Sequence, residues 1–177
     1  MIPLSPNALT VMGLVVSLLA ALMFAWGEIV FGGLLIMLSG IFDILDGAVA
    51  RASGATTAFG GVLDSVCDRY ADVLIFTGIM YGSIQGSIVP VTLFEIPVWL
   101  WCMTAVIGSY LVSYIRARAE AAGSGPLNVG IAERSERMIV LMIGAFTGYI
   151  AHAIVIVAIF THITIIQRIM SAKGALE

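Results

Sequence analysis

Five aspartates, Asp43, Asp46, Asp64, Asp68 and Asp72, stand between positions 43 and 72 of a chain in which only 11% of residues are charged. Their spacing is helical. A helix advances about 100° per residue, so Asp43, Asp46, Gly47, Ala50 and Gly54 share one stripe of one helix. Asp64 and Asp68 are i,i+4 neighbours on a second, on the stripe that also holds Gly60. A short connection joins the two, so the stripes can face each other and bring four carboxylates together. Such a group repels itself strongly unless cations lie within it. Arg51 and Arg69 are near in sequence, but two arginines do not neutralise five carboxylates. An all-oxygen donor set suits Mg2+, Mn2+ or Ca2+ rather than zinc. Two divalent ions would balance four aspartates and leave positions for phosphate oxygens. Gly47, Ala50, Gly54, Gly60 and Gly61 remove side chains from the same faces. Close helix packing explains small residues alone; interleaved with aspartates, they favour a ligand cleft.

The elements that must carry these residues are membrane helices. The 177 residues are 60% hydrophobic, more apolar surface than a soluble domain of this size can hide but not more than a bilayer can. The length fits a single domain over residues 1–177. Apolar stretches predict an all-α integral membrane protein with six spans, at 7–26, 29–52, 58–82, 97–120, 133–149 and 152–171. Pro6 opens the first, with Ser5 or Asn7 as its cap, and Gly27 ends it. The last two spans are expected to form an antiparallel hairpin. In this layout all eight basic residues, Arg51, Arg69, Arg116, Arg118, Arg134, Arg137, Arg168 and Lys173, fall toward one face. The positive-inside rule makes that face cytoplasmic, with both termini inside. No basic region precedes the first apolar run, so a cleaved signal peptide is not expected. A net charge of −3 argues against a nucleic-acid surface. Cys67, Cys102, His152 and His162 are isolated and read as packing residues, and Trp26, Trp99 and Trp101 as an interfacial belt.

The string Asp43-x2-Asp46-Gly47-x2-Ala50-Arg51-x8-Gly60-x3-Asp64-x3-Asp68 matches the signature of the CDP-alcohol phosphotransferases at every specified position, and the six-span layout resembles that family over almost the whole chain. The resemblance implies a dimeric membrane protein of the cell membrane with a cytoplasm-facing polar cavity and a di-metal centre of Mg2+ or Mn2+. It implies that Asp43, Asp46 and Asp64 hold one ion and Asp43, Asp64 and Asp68 the other, with Asp68 as general base. Gly47, Arg51 and Thr57 resemble the family's CDP-binding positions, with Ala50 and Gly60 beside them in the motif and Asn7 and Thr10 joining from the first span. The reaction implied is attack of an acceptor hydroxyl on the lipid-side phosphorus of a CDP-lipid, with CMP leaving. Direct attack is favoured, because carboxylates committed to metals are poor nucleophiles.

The acceptor is read from the remaining arginines. Arg116, Arg137 and Arg168 could converge from three helices, and three guanidinium groups together need an anion. Membrane anchoring serves as well for Arg118, Arg134 and Lys173. The strings Ser-Tyr-Ile-Arg-Ala-Arg-Ala-Glu120, Glu-Arg-Ser-Glu-Arg137 and Leu-Asp-Ser-Val-Cys-Asp-Arg69 resemble those of phosphatidylinositol-phosphate synthases and their archaeal counterparts. That resemblance implies 1L-myo-inositol 1-phosphate as acceptor, its phosphate bound by Arg116, Arg137 and Arg168. Glycerol 3-phosphate as acceptor, or CDP-inositol as donor, are the alternatives within this chemistry. A cation transporter is the alternative outside it, but the internal repeat common in transporters is not seen.

Overall fold

The computed structural model describes residues 5–88 and 92–177. They fall into two compact units, Met1–Val89 and Pro90–Glu177.

The first unit holds α1 (Pro6–Ala25), α2 (Ile29–Ala52) and α3 (Ala58–Ile84). Local chemistry sets their ends. Ser5 Oγ accepts from the Ala8 amide at 3.3 Å and Pro6 occupies the first helical position, so Ser5 is the cap and Asn7 lies inside the first turn. At the other end Gly27 takes a left-handed φ of +84°, and Glu28 N–H reaches back to Met23 O at 2.9 Å. A side chain at Gly27 would also meet the Ser87 carbonyl oxygen at 2.5 Å. Gly54 plays the same part after α2, with φ +64° and Ala55 N–H bonded to Ala50 O at 3.0 Å. Gly54 therefore lies in the turn beyond the helix and not on the aspartate stripe. The helix-ending bond needs a residue that tolerates positive φ there. Thr57 Oγ1 caps α3 by accepting from Gly60 N–H at 2.9 Å.

Within this unit α1 packs along both α2 and α3. The α1–α2 seam is antiparallel and repeats every seven residues. Thr10 bonds Asp46, Ser17 bonds Ser39, and the Phe24 ring fills the space over Gly32. Ser17 and Ser39 are buried, 2.8 Å apart, and both reach Gly13 O, at 3.0 and 3.1 Å. In an apolar setting these bonds have no water to replace them, so they fix the rotation of α2 about α1. The α1–α3 seam is parallel. A Cβ at Gly78 would collide with Ala21 O, and one at Gly82 with Phe24 O. Hydrogen at these two positions lets the backbones touch.

The second unit begins with a hairpin of two-residue strands, β1 (Thr92–Leu93) and β2 (Ile96–Pro97), turned through Phe94 and Glu95 at φ +56° and +63°. It departs from the expected purely helical chain. Trp101 braces it through Nε1–H to Leu93 O at 3.2 Å and an edge contact with Phe94. Then follow α4 (Val98–Ala121), α5 (Arg134–Thr147) and α6 (Ile150–Leu176). α6 packs against α4 and α5. The α5–α6 hairpin turns at Gly148, φ +79°, and Gly144 admits Ala153 across it. α6 runs past the expected end at 171, because Ala172 to Leu176 are helix-compatible without being uniformly apolar.

Among the described residues four helices, α1, α2, α4 and α6, are long and apolar enough to cross a bilayer. Many of their large exposed side chains, such as Val15, Leu18, Phe31 and Ile107, are apolar, which suits lipid as solvent. α3 is long enough but carries Asp64, Asp68, Arg69 and Asp72. α5, at 14 residues, reaches about 21 Å against a hydrocarbon core of about 30 Å.

Candidate active site

Because α1 and α3 run parallel and α2 runs against them, the start of α1, the end of α2 and the start of α3 share one end of the first unit. Nearly all the motif residues are there. Gly60 approaches both Thr57 and Asn7: a Cβ on it would lie 3.1 Å from Thr57 Oγ1 and 3.4 Å from Asn7 Oδ1. Two helix N-termini at this end present the positive ends of their dipoles, which favours a phosphate.

Asp43, Asp64 and Asp68 each direct one carboxylate oxygen into a group whose members all lie within 4.8 Å of one another. Asp43 is exposed on α2; Asp64 and Asp68 are half-buried on α3. Ligand oxygens on opposite sides of a Mg2+ lie about 4.2 Å apart, so small side-chain adjustments suffice for one cation to bridge all three. The donor set is all-oxygen and comes from two separate helices, which suits a hard divalent ion.

Asp46 stands apart from that group. It is buried, and its Oδ2 accepts from Thr10 Oγ1 at 2.5 Å. Arg69 Nη1 lies 3.4 Å from Asp68 Oδ2. Arg51 is exposed and folds back one helical turn, so that a Cβ on Gly47 would lie 3.1 Å from its Nη1. Gly47 thus makes room for the guanidinium of Arg51. Ala50 gives its carbonyl to the turn that ends α2. Asp72 is buried one turn beyond Asp68.

The second unit carries a separate cluster of opposite sign. Arg168 is 2% exposed and makes three bonds: Nε to Val129 O at 2.8 Å, Nη1 to Val112 O at 2.7 Å and Nη2 to Glu133 Oε1 at 3.2 Å. Arg116 donates to Glu120 Oε1 at 3.1 Å and to Asn128 Oδ1 at 3.4 Å, and its Nη1 lies 3.9 Å from the same Glu133 oxygen. Arg137, also buried, donates from Nη1 to Ala132 O at 2.8 Å. Arg116 and Arg137 both lie close enough to act on Arg168 electrostatically. The 122–133 segment is pinned beside them. Leu127 N–H donates to Glu120 at 3.2 Å and Ile131 N–H to Thr164 Oγ1 at 3.1 Å. Arg118 is exposed, and Lys173 pairs with Glu177 at 3.7 Å.

Sequence reasoning passed over Glu133, Glu120 and Asn128, the acceptors that organise the arginines. One signal was available. Glu133 followed three residues later by Glu136 has the spacing of a capping box, and Glu136 does accept from the Glu133 amide at 2.7 Å. His162 Nδ1 stays on its own helix, 2.8 Å from Ala158 O, and His152 stacks edge-on against Tyr149.

The family model for CDP-alcohol phosphatidyltransferases matches residues 3–171. The archaetidylinositol phosphate synthase of Pyrococcus horikoshii is 40% identical, over 98% of this chain and 86% of its own length. The phosphatidylinositol phosphate synthase of Mycobacteroides abscessus is 38% identical, over 98% of this chain and 80% of its own. A crystal structure of the Mycobacterium tuberculosis phosphatidylinositol phosphate synthase with CDP-DAG bound superposes with a TM-score of 0.84 at 29% identity, covering 99% of this chain and 92% of the other. A second structure of that enzyme, with manganese and citrate, gives 0.84 at 30% identity, over 98% and 86%. The signature aspartates, the helical frame and these likenesses agree: the chain belongs to the CDP-alcohol phosphatidyltransferase family.

Proposed function

We propose that this transferase moves a phosphatidyl-type group, diacylglycerol- or archaeol-phosphate, from a CDP-lipid to the hydroxyl of a phosphorylated polyol, 1L-myo-inositol 1-phosphate, releasing CMP. The observation that carries the reading is the convergence of Asp43, Asp64 and Asp68 at the end of the unit where α1 and α3 begin. The names of the relatives support the acceptor, and the neighbour bound to CDP-DAG supports the donor.

Asp43, Asp64 and Asp68 would hold one divalent ion, and Asp43, Asp46 and Asp64 a second, Mg2+ or Mn2+. Bound there, such ions neutralise the pyrophosphate and the charge that builds on departing CMP. The protein's own groups do the rest. Arg51, lying over Gly47, adds a fixed cationic donor for a donor phosphate. Asn7, Thr10, Ala50, Thr57 and Gly60 line the approach of the nucleotide, with Thr10 also orienting Asp46. Asp68 takes the proton of the acceptor hydroxyl. The freed oxygen forms the new bond to the lipid-side phosphorus as the bond to CMP breaks. Arg116, Arg137 and Arg168 hold the acceptor's phosphate.

The orientation follows the basic residues: six spans, the short α5 crossing where the bilayer thins, with both termini and the reacting groups toward the cytoplasm of the cell membrane. A homodimer is the assembly the family resemblance favours, and the mass of the detergent-solubilised protein tests it. The reaction itself is tested by CMP release from purified protein given a CDP-lipid and, in turn, inositol 1-phosphate, glycerol 3-phosphate and free inositol. Release with inositol 1-phosphate alone supports the assignment; preference for either of the others replaces it.

A further inference from the structure

Glu133 occupies the place that the acceptor phosphate of the proposed reaction needs. Its Oε1 lies 3.2 Å from Arg168 Nη2 and 3.9 Å from Arg116 Nη1. The two sides of this contact differ in freedom. Arg168 is buried and held by the Val112 and Val129 carbonyls. Arg116, itself 43% exposed, is braced by Glu120 and Asn128. The Glu133 side chain is 45% exposed and, apart from the capping-box bond it accepts from the Glu136 amide, has solvent to swing into. The Arg168 side of the seat is fixed, and its occupant is movable.

We infer that Glu133 is a built-in occupant of the acceptor-phosphate seat, neutralising Arg116 and Arg168 in the unloaded enzyme and giving way to the incoming phosphate. The inference rests on the reading of these arginines as phosphate-binding. Guanidinium groups this close repel one another, most strongly at the buried Arg168, and an anion between them relieves it. A carboxylate brings one charge. A phosphate monoester brings nearly two and three acceptor oxygens, so it displaces the carboxylate, but from a seat already partly satisfied. Glu133 thereby sets how much acceptor is required and disfavours capture of weaker anions. Its effect is modest because the carboxylate is partly solvated.

The test is an initial-rate comparison of wild type with Glu133→Gln and Glu133→Ser. Serine is a preferred helix cap, so the second variant keeps the start of α5 while removing the charge. Inorganic phosphate, competing with the acceptor, is expected to inhibit both variants at roughly twofold to fivefold lower concentration. Acceptor KM should fall by a similar factor, and the KM for CDP-lipid should hold. Unchanged or weaker phosphate inhibition in both variants overturns the inference, as does a parallel rise of both KM values, which marks a structural role only. A wild type indifferent to inorganic phosphate that accepts unphosphorylated polyol overturns the underlying arginine assignment instead, and that failure is read without any variant.

Discussion

Thr10 donates a 2.5 Å hydrogen bond to Asp46 across the α1–α2 seam, and so ties a signature aspartate to the first helix. The bond is the outermost rung of a ladder that continues through Ser17–Ser39 to Phe24 over Gly32. The ladder sets the rotation of α2, and that rotation carries Asp43 out toward Asp64 and Asp68 while Asp46 turns inward.

Thr10→Val tests this rung. Valine keeps the shape and removes the donor, leaving a buried carboxylate short of a bond, at a cost of about 1.5–3 kcal/mol. The melting temperature in detergent and the rate of CMP release should both fall, and Thr10→Ser should restore them. Full activity in Thr10→Val would show that Asp46 needs no orienting partner.

Gly47→Ala separates stability from function. Alanine gains about 1 kcal/mol of helix propensity over glycine, and the new methyl meets only the end of a flexible side chain, Arg51 Nη1 at 3.1 Å. Thermal stability should hold or rise. The KM for CDP-lipid should rise as the guanidinium is pushed aside, while acceptor KM stays. A donor KM like that of wild type would remove Arg51 from the donor site.

Asp68→Asn should retain binding of cytidine diphosphate and lose turnover by about 100- to 10,000-fold, the usual worth of a general base. Chelation of wild type should abolish CMP release, with recovery on adding Mg2+ or Mn2+. Normal turnover of Asp68→Asn would assign the proton to another group. Activity that survives exhaustive chelation would exclude a metal role for the Asp43, Asp64 and Asp68 cluster.

Arg137→Ala should raise acceptor KM more than tenfold and leave the donor KM nearly intact. Arg137 also bonds Ala132 O, so some thermal stability is lost with it. Donor and acceptor KM rising in step would identify Arg137 as a brace of the 122–133 segment and not a phosphate ligand.

How far the sequence reached depended on the range of the interaction concerned. Apolar runs bounded by glycine located every helix to within a few residues, because capping and helix termination are local events. It overlooked the hairpin at 92–97, whose left-handed residues are Phe94 and Glu95 rather than glycine. It stopped α6 early because it followed apolarity, whereas a helix can outrun its apolar part.

By itself the sequence determined that Asp64 and Asp68 share a helix face and that Asp43 and Asp46 precede them on another helix. Those facts follow from helical periodicity and order along the chain. Only the tertiary structure decided which carboxylates meet. Asp46 is held by a residue 36 positions away, and Glu133 by one 35 positions away. Periodicity sets the faces of a helix, but its rotation against a neighbour depends on distant buried side chains such as Ser17 and Ser39, whose pairing no local pattern records.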